Sequence, residues 1–298
     1  MITVFTPTYN RAYIIKNVYD SLLKQTYKNF EWLVIDDGSI DNTEELINSF
    51  IMEKKIKIRY FKKNNGGQHS ALNMAIEKAQ GELFMIVDSD DFLKPEALER
   101  IIFWEQTIVD KEEFAGVSGL KIQPNGQIIG RWRLKSQYID ATNFEREKYF
   151  LIGDKAEAYY LNVLKKFYPI PEFEGENDVE KGVLWNRIAY ANLKIRWFNE
   201  GIYVCEYLED GMTKNIQENH LKNFKGYTCW KKELIDMQKS TRRIIAQTAP
   251  FTEIAKKKGL SVSEMAEVLN RSKIIIVMAK FYLFGHYLKR KLIKILEK

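Results

Sequence analysis

The chain has 298 residues, enough for one large core with a smaller appendage or for two modest domains. With 45% apolar and 29% charged residues it has the make-up of a folded globular protein, which excludes a disordered chain. Lys and Arg total 46 against 40 Asp and Glu, an excess too small to imply a nucleic-acid partner. Two cysteines, Cys205 and Cys229, are too few for a metal cluster or a disulfide framework and read as thiols of a reducing compartment. Met1–Phe5 has neither the basic start nor the apolar core of a signal peptide. No apolar run reaches the roughly 18 residues that a membrane span needs. The expectation is a cytoplasmic chain.

The first ninety residues alternate strand and helix signals. Strands are expected over 2–6, 30–35, 56–61 and 83–87, and helices over 13–23, 42–51 and 70–79. That alternation predicts an α/β fold, a mostly parallel sheet flanked by helices. Runs such as Trp32-Leu33-Val34-Ile35 and Phe84-Met85-Ile86-Val87 suit its buried centre. From Ala115 the pattern changes. Strands over 117–122 and 128–134 flank Pro124-Asn125-Gly126, a hairpin signal. Further strands are expected over 158–163 and 202–207, and a helix over 179–191. Beyond Asn215 the chain reads as helices alone, with Pro250 and Gly259 as breaks.

In open sheets of this kind ligands bind beyond the carboxyl ends of the strands, and three of those ends carry polar clusters. Asp88-Ser89-Asp90 follows the fourth strand. At a strand end the side chains of i and i+2 point the same way, and two such carboxylates repel unless a divalent cation sits between them. Magnesium or manganese would take oxygen ligands there and keep diphosphate oxygens in its shell. A solvated acidic turn is the plainer reading; the buried strand ahead of it and the two neighbouring clusters favour the metal. Asp36-Asp37-Gly38-Ser39 suits a strand-to-helix turn with two exposed carboxylates and Asp41 or Asn42 as cap, and equally a pyrimidine site. Asn64-Asn65-Gly66-Gly67-Gln68-His69 is either a loop or a set of backbone amides presented to an anion at a helix N-terminus. His69 reads as a surface histidine.

Taken with Thr6-Pro7-Thr8-Tyr9-Asn10-Arg11, Ala71-Leu72-Asn73 and Gly81-Glu82, these motifs stand in an order and spacing that resembles the N-terminal half of family 2 glycosyltransferases with the GT-A fold. The resemblance is strong over about the first 95 residues and weaker to about residue 210. It implies a nucleotide-sugar donor, often a UDP-sugar, a Mn2+ or Mg2+ ion, and inversion at the anomeric carbon. It places Pro7, Tyr9 and Arg11 beside the base and ribose, with Asp36 or Asp37 on the uracil. Asn65 and Gly67 belong to the phosphate loop. Asp88 and Ser89 approach the ribose, and Asp88 and Asp90 the metal. Leu72 stands where the family often has Arg, so a diphosphate contact is either missing or supplied by Lys63, Gln68 or His69.

An inverting transfer needs a carboxylate to take the acceptor's proton. The family's usual position for it corresponds to the acidic stretch 172–180, where Glu176, Asp178 and Glu180 are the candidates; acids that merely favour a helix N-terminus are the alternative. His220 lies where some relatives take a third metal ligand, although a surface helix histidine is the plainer reading.

From Ser272 to Lys298 there are seven basic residues and one acidic residue, with apolar residues at helical spacing. Such a helix either packs on protein, including a second copy in a homo-oligomer, or lies on the inner face of the membrane with its lysines near anionic lipid. The expected organisation is a catalytic domain over 1–212 and a helical region over 213–298. The expected acceptor is a saccharide or a lipid-linked one, in capsule or cell-wall polysaccharide synthesis. Two rivals are weighed. A nucleotidyltransferase would carry a Gly-rich basic loop after the first strand, which Thr6–Arg11 is not. A non-catalytic nucleotide-sugar-binding protein would bind donor without turnover.

Overall fold

The structure is a computed structural model that describes residues 1–132, 135–205 and 216–296, with side chains described through residue 285. By packing the chain forms two units, Met1–Ile170 with Leu184–Gly211, and Pro171–Val183 with Met212–Lys298.

Among the described residues the first unit is built on one mixed sheet of nine strands. β1 (Ile2–Thr8), β2 (Phe30–Asp36), β3 (Lys57–Lys62) and β4 (Leu83–Ile86) pair in parallel in the order β3-β2-β1-β4. Parallel neighbours need crossovers, and α1 (Lys16–Leu23), α2 (Thr43–Glu53) and α3 (Gln68–Lys78) supply them. β1 and β2 are buried at every residue, which is why their sequences read as continuous apolar runs instead of alternating. Trp32, Val4, Met85 and Ile15 are fully buried in the main core, where Tyr19 stacks on Phe50. The Trp32 indole donates to Thr6 Oγ1 at 2.9 Å, so the ring that fills the core also ties β2 to β1.

The second half of this sheet runs differently. A two-residue β5 (Phe92–Leu93) and α4 (Ala97–Gln106) lead to β6 (Phe114–Ile122), β7 (Tyr138–Ala141), β8 (Lys155–Tyr160) and β9 (Lys194–Val204). The path continues β4-β8-β6-β9-β5, and β7 pairs with β9. β8 is antiparallel to both β4 and β6, so β6, and β9 parallel to it, point the same way as β4. The carboxyl ends of β1, β2, β4, β6 and β9 therefore share one rim.

Several expectations need correction here. Residues 128–132 form no strand; an Ile122–Ile128 bridge and the bonds from the Gln123 amide to Gln127 O and from the Ile129 amide to Lys121 O mark the hairpin, and Leu134 lies outside the described residues. The strand expected over 158–163 ends at Tyr160, where α5 (Leu161–Phe167) begins. The last strand starts at Lys194 and ends at Val204, with 206–207 outside the described residues. α6 (Gly182–Tyr190) starts three residues later than expected.

The second unit is helical: α7 (Ile216–Lys222), α8 (Phe224–Asp236), α9 (Thr241–Lys257), α10 (Val262–Val268) and α11 (Lys273–Leu296). Tyr227, Ile235, Phe251, Ile254, Met265, Leu269 and Ile276 form its core. Pro250 does not break α9. It is exposed while Ala249 and Phe251 on either side are buried, and packing on both flanks offsets the missing amide. Gly259 does end the helix. At φ +90 it lets the Leu260 amide reach Ala255 O at 2.9 Å and its own amide reach Lys256 O at 3.0 Å, the paired bonds of a left-handed helix stop.

Candidate active site

Because β1 lies between β2 and β4, the polar segments after these three strands meet on the rim. After β1, Pro7 is still in the ladder, opposite Ile35, and Tyr9 is half exposed. Asn10 turns the chain with φ +54; its amide donates to Ser39 Oγ at 2.8 Å and its side-chain oxygen accepts from the Ile40 amide at 2.9 Å. The Arg11 amide donates to Thr43 Oγ1 at 3.2 Å, and its guanidinium lies against Tyr13. These bonds fasten the first rim segment to the second.

The two carboxylates after β2 are buried instead of exposed, and each is committed. Asp36 accepts from the Ser39 amide at 2.7 Å and the Tyr60 hydroxyl at 2.7 Å. Asp37 accepts from the amides of Gly66 at 2.9 Å and Gly67 at 2.7 Å and pairs with Lys63 at 2.9 Å. The Asn65 side chain donates to Asp37 O at 3.0 Å. Backbone amides of the 64–69 loop thus do meet an anion at the start of α3, and in this structure it is the Asp37 carboxylate. Gly67, at φ +89, and Gly38, at φ +90, are needed for this approach; a Cβ on Gly38 would sit 3.1 Å from the Asn65 amide nitrogen. Asp41 accepts from the Ala12 and Thr43 amides and the Thr43 hydroxyl, so the start of α2 is secured from Asp41 and not from the Asn42 side chain.

Beyond β4, Asp88 Oδ1 accepts from Gln68 Nε2 at 3.1 Å, joining the start of α3 to the acidic turn. Ser89 and Asp91 are buried. Burial, with the neighbouring Asp88, pushes the Asp90 carboxyl up, while Arg11 and Lys121 pull it back. Burial and Asp88 likewise raise Asp91, to about 6, against Lys121 and Tyr203. Of the residues expected to supply a diphosphate contact in place of Leu72, Lys63 is paired with Asp37 and Gln68 reaches Asp88. His69 is 1% exposed, so the expected surface histidine is a core residue of α3.

Three residues that the sequence reading passed over complete this cluster from β6 and the end of β9. Lys121 lies 3.6 Å from Asp88 Oδ2 and 3.9 Å from Asp91 Oδ2. Burial pulls its ammonium down, but the two carboxylates outweigh that and hold it above the usual range. The Tyr203 hydroxyl accepts from the Asp88 amide at 2.9 Å, and the Cys205 thiol is hydrogen-bonded to Asp91. The available signal was a lysine inside the apolar run Val117–Ile122.

Among the described residues no three His, Cys, Asp or Glu side chains converge as a ready-made metal site. The donor chemistry nevertheless suits a hard divalent cation. Asp88 and Asp90 offer oxygen only, disfavour one another's charge, and leave remaining positions for phosphate and water, the pattern magnesium-type sites use.

The remaining candidates belong to the second unit. Both oxygens of Glu176 accept backbone amides at the start of α8, from Lys225 and Gly226 at 2.8 Å each. Asp178 is hydrogen-bonded to Asn219, and burial, with Glu180 close by, pushes its carboxyl up. His220 Nε2 lies 2.9 Å from Glu180 Oε1, and its ring stacks on Tyr227 at 4.2 Å. The polar stretch 210–215 that precedes His220 lies outside the described residues.

A mixed α/β sheet whose central parallel strands end in a basic-edged carboxylate cluster is an architecture of the GT-A kind. Residues 3–156, more than half of the chain, match glycosyl transferase family 2, and the chain belongs to that family. Over 102 residues it is 38% identical to "Glycosyltransferase GlyG" of Streptococcus pneumoniae serotype 4, a match that covers 34% of each chain. It is 34% identical over 130 residues to a chondroitin synthase of Pasteurella multocida, covering 43% of this chain and 13% of that one. The chain thus spans about a third or less of these two curated relatives. The fold is shared with S. aureus TarS 1–349 in complex with UDP-GlcNAc, at TM-score 0.61 and 18% identity, over 95% of this chain and 92% of that one. It is also shared with the mannosyltransferase PcManGT of Pyrobaculum calidifontis in complex with GDP-Man and Mn2+, at TM-score 0.54 and 16% identity, over 95% and 86%.

Proposed function

We propose that the protein is an inverting, metal-dependent glycosyltransferase that moves a sugar from a nucleotide sugar, a UDP-sugar by preference, to a saccharide or lipid-linked acceptor in bacterial capsule or cell-wall polysaccharide synthesis. The observation that carries this reading is the Asp88–Asp91 turn, where the partly buried Asp88 and Asp90 and the buried Asp91 crowd three carboxylates onto the rim beside Arg11 and the 64–69 loop. Pro7, Tyr9 and Arg11 would border the base and ribose, with Asp36 and Asp37 shaping the place of the uracil and Asn65 and Gly67 that of the phosphates. Asp88 and Asp90 would hold a Mn2+ or Mg2+ ion, with Ser89 beside it. When bound, that ion supplies the positive charge that stabilises the departing diphosphate. In the reaction the acceptor oxygen bonds to the anomeric carbon as the bond to the diphosphate oxygen breaks, and a carboxylate takes the hydroxyl proton. We assign that proton to Asp178 or Glu180, since Glu176 is committed to the start of α8. We read His220, whose Nε2 lies 2.9 Å from Glu180 Oε1, as a partner of that carboxylate in place of a third metal ligand.

Asp90→Asn tests the donor site. Calorimetric titration of UDP with and without Mn2+ should show wild-type affinity that depends on the ion. The variant should have lost that dependence at an unchanged melting temperature. Equal ion dependence in both proteins would remove the metal role.

We further propose that α11 rests on an anionic membrane surface. Among the described residues no helix is long and apolar enough to cross a membrane. α11 nonetheless leaves Ile274, Val277, Met278, Phe281 and Phe284 exposed. The residues expected to place charge near lipid, Lys289, Arg290, Lys291, Lys294 and Lys298, lie outside the described side chains.

A further inference from the structure

The acidic turn after β4 holds three carboxylates in four residues, yet β6, two strands away in the sheet, presents a cation to it. Lys121 Nζ lies 3.6 Å from Asp88 Oδ2, 3.9 Å from Asp91 Oδ2 and 4.1 Å from the centre of the Tyr203 ring. Its side chain is 14% exposed, and Tyr203, fully buried, holds the Asp88 amide with the hydroxyl of the same ring. The lysine is therefore fixed between β6 and the end of β9 and is not a solvent-facing tether.

Its distances matter as much as its charge. Both exceed the roughly 2.7–3.2 Å of a direct N–H···O hydrogen bond, so Lys121 lends charge to the carboxylates without occupying their lone pairs. With Arg11, which also acts on Asp90, Lys121 partly offsets the three carboxylate charges of Asp88, Asp90 and Asp91, and removing it leaves one more negative charge at the turn.

We propose that Lys121 is a built-in positioning cation of the donor site, setting the charge of the Asp88–Asp91 turn for a single divalent ion and adding positive charge beside the diphosphate. This rests on the reading of Asp88 and Asp90 as the place of the metal and diphosphate. Removing the ammonium has two effects of opposite sign. A metal ion alone sees one more negative charge and binds tighter, whereas a diphosphate on the metal-loaded site loses an attractive charge and binds weaker. A lysine that only kept the turn in shape would weaken both on removal.

The experiment measures Mn2+ binding by the paramagnetic resonance of the free ion, with no nucleotide present. Calorimetry then measures UDP and uridine at saturating Mn2+. Wild type, Lys121→Met, Lys121→Gln, Lys121→Arg and Asp90→Asn are compared, each checked for a cooperative thermal transition. Met and Gln are expected to bind Mn2+ about tenfold tighter and UDP about tenfold weaker, with uridine unchanged, and Arg to return both toward wild type. Mn2+ binding that is unchanged or weaker in both neutral variants overturns the proposal, as does failure of both to fold. If those variants match wild type while Asp90→Asn loses Mn2+, the Lys121 inference alone falls. If wild type binds no Mn2+, or Asp90→Asn binds it equally well, the donor-site reading falls and the inference with it.

Discussion

Glu176, Asp178 and Glu180 are two residues apart in an acidic stretch, and only their partners separate them. Glu176 receives two backbone amides and so anchors a helix start. Asp178 is half buried with its carboxyl pushed up by burial and by Glu180, the direction that suits a group taking up a proton. Asp178→Asn should lower turnover by about 10²–10⁴ with donor affinity unchanged, as expected of a group acting in the transition state. Glu176→Gln should instead lower the melting temperature and leave most turnover. Should steady-state rates with a working acceptor stay near wild type in Asp178→Asn and Glu180→Gln alike, the base lies elsewhere. At this scale the sequence is unevenly legible. Asp88 and Asp90 stand out because a short acidic motif follows an apolar run. Lys121 and Tyr203 reach the site only through pairings of β6 and β9 with strands far away in the chain. His69 could not be read as buried, since its place depends on which side of α3 meets the sheet.

Elements show the same divide. The β-α-β-α order of the first half was legible because each crossover helix leaves its own 3.6-residue pattern between apolar strands. The reversal at β8 was not, since apolar periodicity carries no strand direction. The boundary at Tyr160 was lost because apolar residues run on into α5. What ties the first three strands at the end away from the site is a buried polar network. Glu31, fully buried, accepts from Thr3 Oγ1 at 2.7 Å, the Gln80 amide at 2.8 Å and Arg59 at 3.2 Å. Burial pushes its carboxyl up, but these bonds outweigh it and hold the carboxyl below its ordinary range. A carboxyl lowered by folding adds stability that is present above its unfolded value, about 4.3, and is lost as pH falls through the folded one. Glu31→Gln should therefore cost about 2 kcal/mol at pH 7, and the gap from wild type should shrink below pH 4. Denaturant melts of both proteins across that range check it; a gap that stays constant with pH would mean that the charge of Glu31 contributes nothing.

For the whole molecule, the open matter is what the last helix faces. Ile276 and Ala279 on α11 are buried in the clusters of the second unit, while Ile274, Val277, Met278, Phe281 and Phe284 span an arc of about 120° on the other side. Lys273 and Lys280 fall along one edge of that arc. A helix with two apolar faces is poorly tested by deletion, since cutting at Ser272 would also uncover the core. Phe281→Ser with Phe284→Ser is the sharper change. It should reduce co-sedimentation with phosphatidylglycerol vesicles by at least about tenfold at an unchanged melting temperature, and raised salt should weaken the wild type further. If the double variant still sediments, or shifts a dimer to monomer in sizing runs, the exposed face serves protein contact instead.

Residues 171–183 are separated along the chain from residues 212–298 but pack with them, and this bears on any attempt to divide the protein. A gene fragment ending near residue 211 would leave the amides that Glu176 holds, the Asn219 partner of Asp178 and the His220 partner of Glu180 on the discarded piece. Such a fragment would carry a thirteen-residue stretch with no scaffold, open to proteases and to aggregation, even where the sheet around it folded. Two plasmids that split the chain there should yield usable protein only when expressed together, and no single crossover keeps both units whole in a chimeric enzyme, since one before Pro171 would part β9 from the sheet it pairs in.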